Sequence, residues 1–388
     1  MSEGRIRDPF GGWAEPGTLE PSQPDPAAAS ASSASAAPDP SRLACPAPIP
    51  ERARVLLGHG SGGQLSAALM REVVGPALAS AGRVAAGPLN DAAVVEVAGR
   101  RLAFTTDSFV VSPLEFPGGD IGELAVNGTV NDLAMMGAQP LALSLAYVIE
   151  EGLPLEELRK ITESVALAAA RAGVEIVTGD TKVVGRGAAD GLFVNTAGIG
   201  LVTEGVVVGA DRAAPGDAVI LSGPIGLHGV AIMSVREGLG FEAEIASDTQ
   251  PLNRLVAAIV AACPDVHVLR DPTRGGLASA LNEIAAASGV GIEVEEDAVP
   301  VPGPVHAACE MLGLDPLHVA NEGKLVAIVP AAAGDAVLEA MRTVGEGAES
   351  VAIGRVVADH AGMVTMRTIV GSQRIVDMLV GEQLPRIC

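Results

Sequence analysis

From Val55 onward the chain alternates short β-type segments with amphipathic helical ones, and this alternation restricts the fold more than any other feature. Residues 92–97 are typical of a strand, Gly99 of a tight turn, and residues 101–111 of the returning strand. A helix is predicted further along, because apolar residues recur at helical spacing before Gly173: Leu158, Ile161, Val165, Ala168 and Ala172. The pattern predicts an α+β fold.

A second unit of the same type begins near Gly209. It contains a turn followed by predicted strands and helices, at residues 215–217, 218–221, 226–235, 277–287, 325–329 and 350–357. We therefore expect two domains, residues 51–209 and 210–366, each long enough to enclose a core. Apolar residues make up 48% of the chain but aromatic residues only 2%, so Ala, Val, Leu and Ile must form these cores.

Residues 1–50 differ in composition from the rest, being rich in Ala, Ser and Pro. They contain too few aliphatic side chains to offset the entropy of an ordered backbone, so a disordered extension is predicted. They also lack the basic start and continuous apolar run of a signal peptide.

A formal charge of −22 argues against non-specific binding to nucleic acid or to an anionic membrane. No apolar run approaches the roughly 18 residues of a membrane span. The four cysteines have neither metal-ligand spacing nor the density of a disulfide framework, so we expect a cytoplasmic protein. Cys263 and Cys309 lie in apolar, helix-like surroundings and are predicted to be core thiols.

The chain ends in a thiol, Cys388, preceded by Pro385 and Arg386. Because no chain continues beyond it, a terminal thiol can enter a narrow site or pass between two proteins. Pro385 restricts the backbone, and Arg386 would supply a cation near the thiol. Residues 367–388 are thus predicted to be a mobile tail that carries a reactive cysteine. A frayed terminus with an accidental cysteine is the alternative.

A glycine-rich loop precedes a predicted helix near residue 64. Gly60, Ser61, Gly62 and Gly63 can bring backbone N–H groups close to an anion such as a phosphate. The loop has neither the spacing of a P-loop nor the strand context of a dinucleotide fingerprint, so a flexible turn explains it equally well.

Carboxylates border the predicted strands of the first domain. If the hairpin around Gly99 is symmetric, Asp91 faces Asp107 across it, and like charges directly opposite each other are destabilising. A divalent cation between them would reverse that effect, and carboxylate oxygens suit Mg²⁺. Asp180 is expected to end a third strand in the same way. For any one of these residues, a carboxylate on a surface turn remains an alternative.

Residues 119–133 have helical apolar spacing, but their interior polar positions include poor helix formers. Asn127 and Asn131 are one turn apart, and Asp132 adjoins them. Such a conflict with local propensity is expected at functional sites. Lys182 and Glu322, each beside a glycine-containing turn, are candidate proton carriers, whereas His228 is expected to be structural.

The chain also carries a set of short motifs, at residues 59–63, 116–122, 128–132, 179–184, 270–276, 320–324 and 385–388. Together they resemble the HypE family of hydrogenase expression/formation proteins, carbamoyl dehydratases of the aminoimidazole-ribonucleotide-synthetase-like superfamily. The terminal Pro-Arg-Ile-Cys points to this family within the superfamily. Asn90 stands where related sequences often have a second Asp before Asp91, and residues 1–50 have no counterpart.

The resemblance implies a two-domain fold with a flexible C-terminal tail, in which the N-terminal domain forms a dimeric β-barrel within a homodimer. It also implies an ATP-dependent reaction. A partner carbamoyltransferase charges Cys388, this protein dehydrates the S-carbamoyl group to a thiocyanate, and an iron-carrying hydrogenase-maturation scaffold complex accepts the cyanide. The carbamoyl oxygen must be phosphorylated because hydroxide leaves poorly, which calls for Mg²⁺ and a nearby base.

Residue roles follow from the same resemblance. ATP contacts are implied for Gly60, Ser61, Gly62, Gly63, Thr106, Asp107, Asn131, Gly179, Asp180 and Thr181. Metal ligands are implied at Asp91, Asp107, Asp132 and Asp180. Catalysis at Cys388 is implied for Asp132, Lys182 and Glu322, and the sequence does not show which of them takes which proton.

Two other functions are compatible with the residues. One is a small-molecule ATP-dependent synthase or kinase of the same superfamily, in which the tail would have no chemical role. The other is a non-enzymatic scaffold whose terminal thiol binds metal in a maturation complex. ATP turnover that depends on a carbamoylated Cys388 separates the three.

Overall fold

The computed structural model describes residues 54–80, 90–238, 245–379 and 386–388. The predicted extension at residues 1–50 lies outside them. Residues 50–388 form one unit, and its mixed helices and sheets confirm the predicted α+β fold. None of the described helices has the length and apolar character needed to cross a bilayer.

The described strands are β1 (Ala93–Val97), β2 (Arg100–Phe109), β3 (Glu115–Phe116), β4 (Gly119–Asp120), β5 (Ala138–Glu150), β6 (Glu175–Val184), β7 (Leu192–Val202), β8 (Ala218–Leu221), β9 (Val268–Arg270), β10 (Gly291–Glu295), β11 (Val326–Val329), β12 (Val351–Val357), β13 (Val364–Arg367) and β14 (Gln373–Val376). The α-helices are α1 (Gln64–Leu69), α2 (Gly75–Ala79), α3 (Ile121–Met135), α4 (Leu155–Ala172), α5 (Leu227–Arg236), α6 (Asn253–Ala262), α7 (Gly276–Ser288), α8 (Gly303–Leu312) and α9 (Gly334–Arg342). A π-helical segment, Met70–Val74, joins α1 to α2.

The first half is built on a five-stranded sheet in the order β1-β2-β7-β5-β6, with β5 and β6 parallel and the other pairs antiparallel. The α4 helix packs its predicted stripe inward and ends at Gly173, whose φ of 72° suits glycine. The α3 helix also lies against this sheet, where Gly128 faces the Phe109 ring.

The predicted hairpin is present, but its symmetric register is wrong. The turn consists of Ala98 and Gly99, both at positive φ, so Val97 pairs with Arg100. The ladder is therefore offset by one residue, and Asp91 does not face Asp107. Because side chains alternate along a strand, such an offset changes which of them share a face.

The β6 strand is longer than predicted. Its parallel pairing with β5 continues to Val184, so Asp180 lies within the strand and does not end it. Since β6 is the edge of the sheet, its side chains are largely exposed.

The second half is a seven-stranded sheet in the order β14-β13-β10-β12-β8-β11-β9. Apolar side chains cover both of its faces, with Leu277 and Leu281 of α7 on one side and Leu255 and Ile259 of α6 on the other. The β14 strand pairs with β13, so part of the segment predicted as a tail from residue 367 belongs to this sheet.

Polar groups of α3 join the two halves. The Asn131 amide donates to the carbonyls of Gln250 and Glu322 and accepts from the Leu252 N–H at 2.7 Å. The Asn127 amide donates to Thr249 Oγ1. These contacts explain why poor helix formers occupy a buried helix.

Gly122 provides a direct test of the packing of α3 on α4. A Cβ at this position would lie 2.5 Å from the Ile161 carbonyl oxygen, so we expect Gly122→Ala to lower the free energy of unfolding by about 1–3 kcal/mol. Gly303 is the matched control, because it begins α8 and an added Cβ would meet nothing within 4 Å. Gly303→Ala should leave stability unchanged or slightly raised. Equal urea midpoints for the two variants would contradict this packing.

Candidate active site

Three carboxyl groups converge between the two halves. Oxygens of Asp91, Asp132 and Asp271 all lie within 4.8 Å of one another. Asp91 precedes β1, Asp132 is on α3, and Asp271 follows β9, so long-range folding brings them together. Thr105 Oγ1 donates to Asp132 at 2.8 Å, and Arg270 forms an ion pair with Asp91 at 3.0 Å.

The crowding of these groups favours their protonated forms. Burial raises the pKa of Asp91 to about 6, although Arg270 opposes the shift. Burial, reinforced by Asp91, raises the pKa of Asp271 to about 8. The pKa of Asp132 is well above its usual value for the same reason, with Asp271 and Asp91 adding to the effect. A further cation is therefore needed for all three carboxyl groups to ionise at neutral pH.

Glu322 lies beside this group and is only 3% exposed. Its backbone is fixed at both ends, since its N–H donates to Asp248 Oδ1 and its carbonyl accepts from Asn131. Burial, then Asp271 and Asp248, raises the pKa of Glu322 well above its usual value. Its Oε1 has no hydrogen-bond partner within the described part of the chain.

The chain terminus reaches the same place. The Val110 N–H donates to the main-chain oxygen of Cys388 at 3.2 Å, and the Glu322 carboxyl lies close enough to the Cys388 thiol to raise the pKa of that thiol. Burial raises the pKa of the thiol, although Arg274 opposes the shift. The prediction that Arg386 supplies a cation near the thiol is therefore wrong. Arg386 pairs with Asp190, and Arg274 is the cation that faces the thiol.

The glycine-rich loop borders this site. Gly62 has φ of 75°, and a Cβ there would lie 2.6 Å from the Arg274 backbone. A Cβ on Gly63 would lie 2.5 Å from the carbonyl oxygen of Leu379. The loop therefore needs glycine in order to pack against Arg274 and the segment leading to the tail.

Three predicted site residues, Thr106, Asp180 and Lys182, lie on the face of the first sheet that is opposite α3. Asp180 and Lys182 are exposed and pair with each other at 2.5 Å. Thr106 donates to the Thr196 carbonyl, and the Thr181 N–H donates to Asp180. Gly179 is required by packing, since a Cβ there would lie 2.1 Å from the Leu145 carbonyl oxygen.

Asp107 and Asn131, two further predicted site residues, lie near the three carboxyl groups but are not part of that group. Asp107 lies outside the three-carboxyl group, yet its charge raises the pKa of Asp132, Asp271 and Glu322. The side-chain amide of Asn131, predicted to contact ATP, forms its hydrogen bonds with main-chain groups at the junction between the halves.

Asp271, Arg270 and Arg274 are site residues that the sequence alone does not predict. Arg270 ends strand β9, and Asp271 and Arg274 lie in the loop between β9 and α7. The signal was an acidic residue between two arginines at the start of a helix, a pattern suited to phosphate or metal sites. Their convergence with Asp91 and Asp132 depends on contacts between distant segments.

Two family models match the chain. AIR synthase related protein, N-terminal domain, matches residues 89–202, and AIR synthase related protein, C-terminal domain, matches residues 214–367. The chain is similar to thiamine monophosphate kinase from Aquifex aeolicus with a TM-score of 0.57 at 19% identity, which shows the fold alone. The predicted two-domain fold is thereby confirmed.

Relatives that match over most of both chains identify the family more narrowly than the two domain models do. Carbamoyl dehydratase HypE of Azotobacter vinelandii is 55% identical over 85% of this chain and 96% of the relative, and HypE of Escherichia coli K12 is 44% identical over 86% and 99%. The structure of HypE in complex with ATP has a TM-score of 0.73 at 48% identity, covering 86% of this chain and 100% of that one. A HypE–HypF complex has a TM-score of 0.75 at 48% identity, over 79% and 100%. The resemblance seen in the motifs is confirmed, and the chain belongs to the HypE family of carbamoyl dehydratases.

Proposed function

We propose that this protein uses ATP to dehydrate a carbamoyl group carried on its own last residue, Cys388. The observation that carries the proposal is the position of that thiol. It contacts the buried Glu322 carboxyl and faces Arg274, beside three converging carboxyl groups. An accidental cysteine on a frayed end would not be held there, and the relatives of the chain are carbamoyl dehydratases.

The proposed reaction converts S–C(=O)–NH₂ and ATP into S–C≡N, ADP and phosphate. The carbamoyl oxygen attacks the γ-phosphorus, and the bond from that phosphorus to the ADP oxygen breaks. Two protons then leave the nitrogen while the C–O bond breaks and phosphate departs with the carbamoyl oxygen. Such a reaction requires positioning, neutralisation of charge and one base near the nitrogen.

Glu322 is the best placed of the three predicted proton carriers. It contacts the Cys388 thiol, and burial raises its pKa, which makes its ionised form a stronger base. Arg274 is placed to face the negative charge of a phosphorylated carbamoyl oxygen. Asp132 belongs to the carboxyl group cluster, and Lys182 lies on the opposite face of the sheet.

The three carboxyl groups fit Mg²⁺. Their hard oxygen donors and their raised pKa values both favour a divalent cation, for which Asp91, Asp132 and Asp271 would be ligands. Bound Mg²⁺ would neutralise charge on the ATP phosphates. Asp107 is close enough to take part in the same charge balance.

We further propose that the protein is a homodimer. The face of the first sheet that lies opposite α3 exposes Val95, Val97, Phe104 and Ile199, and apolar patches of this kind mark interfaces. Strand pairing places Asp180 and Lys182 on the face that Phe104 and Ile199 share. A second copy packed there as a shared barrel would bring these predicted site residues to the interface.

Two protein partners complete the proposal. A carbamoyltransferase would charge Cys388, and the solved complex of a relative with HypF supports a stable partner of this protein. An iron-carrying hydrogenase-maturation scaffold would accept the cyanide. A terminal thiol suits both transfers because it can move between proteins.

Glu322→Gln tests the proposed base. The variant keeps the size of the side chain but cannot accept a proton, so we expect dehydration in a single turnover to slow by about 100-fold or more. The measurement is the intact mass of the carbamoylated C-terminal peptide, which loses one water after ATP is added. Glu310→Gln is the control, because Glu310 is an exposed glutamate on α8. Cys388→Ser should form no product, and wild-type turnover in Glu322→Gln would remove Glu322 from the mechanism.

The metal site predicts a particular pH dependence of stability. The pKa values of Asp91 and Asp271 are about 6 and about 8, above the unfolded value near 4. The folded chain therefore binds more protons, and its metal-free stability should fall as pH rises from about 4 to about 8. Asp271→Asn should flatten that fall by at most about 1.4 kcal/mol per pH unit.

Urea midpoints measured between pH 5 and pH 8, with EDTA or with Mg²⁺, check this prediction. Added Mg²⁺ should stabilise the wild type most at high pH, where the carboxyl groups ionise, and should stabilise Asp271→Asn much less. Asp359→Asn, which alters an exposed loop residue, should behave like the wild type. An equal response to Mg²⁺ in all three chains would contradict the proposed ligands.

Phe104→Asp tests the homodimer. Phe104 is 46% exposed on the sheet face, and a carboxylate buried there in a dimer would be strongly unfavourable. Sedimentation should show a dimer for the wild type and a monomer for the variant. Met311→Asp, on an exposed part of α8, should remain dimeric. A monomeric wild type, or a dimer that Phe104→Asp leaves intact, would reject this interface.

A further inference from the structure

The main-chain oxygens of residues 386–388 all have hydrogen-bond partners. The Val110 N–H donates to the Cys388 carbonyl and the Ser112 N–H to the Arg386 carbonyl, at 3.2 and 3.3 Å. The Ile387 carbonyl accepts from His228 Nε2 at 2.7 Å. The Ile387 side chain is 3% exposed and packs in the apolar cluster between the halves. The main chain of these residues and the Ile387 side chain thus both hold the chain end in place.

His228 is oriented for this contact. It is fully buried, and burial lowers its pKa, so its ring is neutral. The Thr249 N–H donates to Ser247 Oγ, and the Ser247 hydroxyl pairs with His228 Nδ1 at 2.8 Å. Because Ile387 offers only a carbonyl oxygen, Nε2 must carry the proton and Nδ1 must accept from Ser247. The Phe116 ring meets the imidazole edge to face, which fixes its plane.

Arg236 lies on the same helix as His228, about 12 Å further along its axis. Its guanidinium donates to the Ser112 carbonyl and to the Arg386 carbonyl, each at 2.7 Å. Arg236 therefore links the main chain at Arg386 to the main chain at Ser112. The Arg386 side chain points elsewhere and pairs with Asp190 in the loop between β6 and β7.

None of these hydrogen bonds from His228 and Arg236 involves the sulfur of Cys388. We propose that His228 and Arg236 are positioning residues that dock the C-terminal tail by the carbonyls of Ile387 and Arg386, so that the tail docks equally well whether its sulfur carries hydrogen, a carbamoyl group or a cyano group. This inference rests on the proposed function in taking Cys388 as the substrate. It adds that α5 recognises the part of the tail that the reaction never changes.

The test measures docking without the reaction. The docked thiol is half-buried and its raised pKa keeps it protonated, so Cys388 should react slowly with iodoacetamide, as followed by the mass of the C-terminal peptide. His228→Phe keeps a ring but cannot donate to the Ile387 carbonyl. Arg236→Gln replaces the guanidinium with a shorter side chain that cannot donate to both the Ser112 and the Arg386 carbonyls. Each should raise the alkylation rate by about tenfold, the effect of losing one hydrogen bond to a buried site. His228→Gln retains an N–H donor, so Cys388 should be alkylated more slowly in this variant than in His228→Phe.

His306→Phe is the control, because His306 is exposed on α8 and pairs only with Glu310 among the described residues. Thermal unfolding midpoints verify that each variant is folded. With the carbamoylated protein, His228→Phe and Arg236→Gln should also slow dehydration, whereas protection should be the same before and after carbamoylation when monitored by proteolysis of the tail.

Wild-type protection of Cys388 in both α5 variants would overturn the proposal, as would docking that depends on the group carried by the sulfur. A loss of protection in the variants, found in a chain whose wild type does not dehydrate the carbamoyl group, would uphold the docking site and reject the proposed enzymatic function.

Discussion

Repulsion among closely spaced carboxyl groups is the constraint around which this protein is organised. Asp91, Asp132 and Asp271 come from three distant segments and meet within 4.8 Å, and Asp107 adds further negative charge nearby. Folding alone would not favour such an arrangement, because each group must be protonated or must be given a counter-charge. Arg270 supplies one positive charge to Asp91. The remaining imbalance is what a divalent cation and its nucleotide would remove.

The architecture also explains how a chain can use its own end as substrate. The apolar cluster between the halves contains Phe109 and Leu192 of the first half, Val230 and Val319 of the second, and Ile387 of the tail. Ile387 therefore anchors the terminus, while Cys388 projects to Glu322 and Arg274. The uncharged thiol has a raised pKa in this position, so it is a poor nucleophile there. Under the proposed function, charging by a partner would therefore be favoured when the tail is released, and dehydration when it is docked.

The local elements of this fold could be predicted from the sequence, because they depend on periodicity and on glycine. The stripe of α4 and its end at Gly173 are examples. The predicted register of the β1–β2 hairpin differs from the observed register by one residue. Nothing in the sequence distinguishes a two-residue turn at Ala98 and Gly99 from a turn centred on Gly99. Asp271 and Arg274 were missed because their proximity to Asp132 arises from tertiary contacts. The terminal cysteine was found because its position at the chain end is itself a local feature.

In the proposed mechanism, the carbamoyl oxygen on Cys388 leaves as a phosphate oxygen within this site. This step can be tested by carbamoylating the protein with a heavy-oxygen label in the carbamoyl group, adding ATP, and measuring the label in the inorganic phosphate by mass spectrometry. One labelled oxygen per thiocyanate formed on Cys388 is the predicted result. Unlabelled phosphate, or label released as water, would contradict phosphorylation of the carbamoyl oxygen and with it the mechanism.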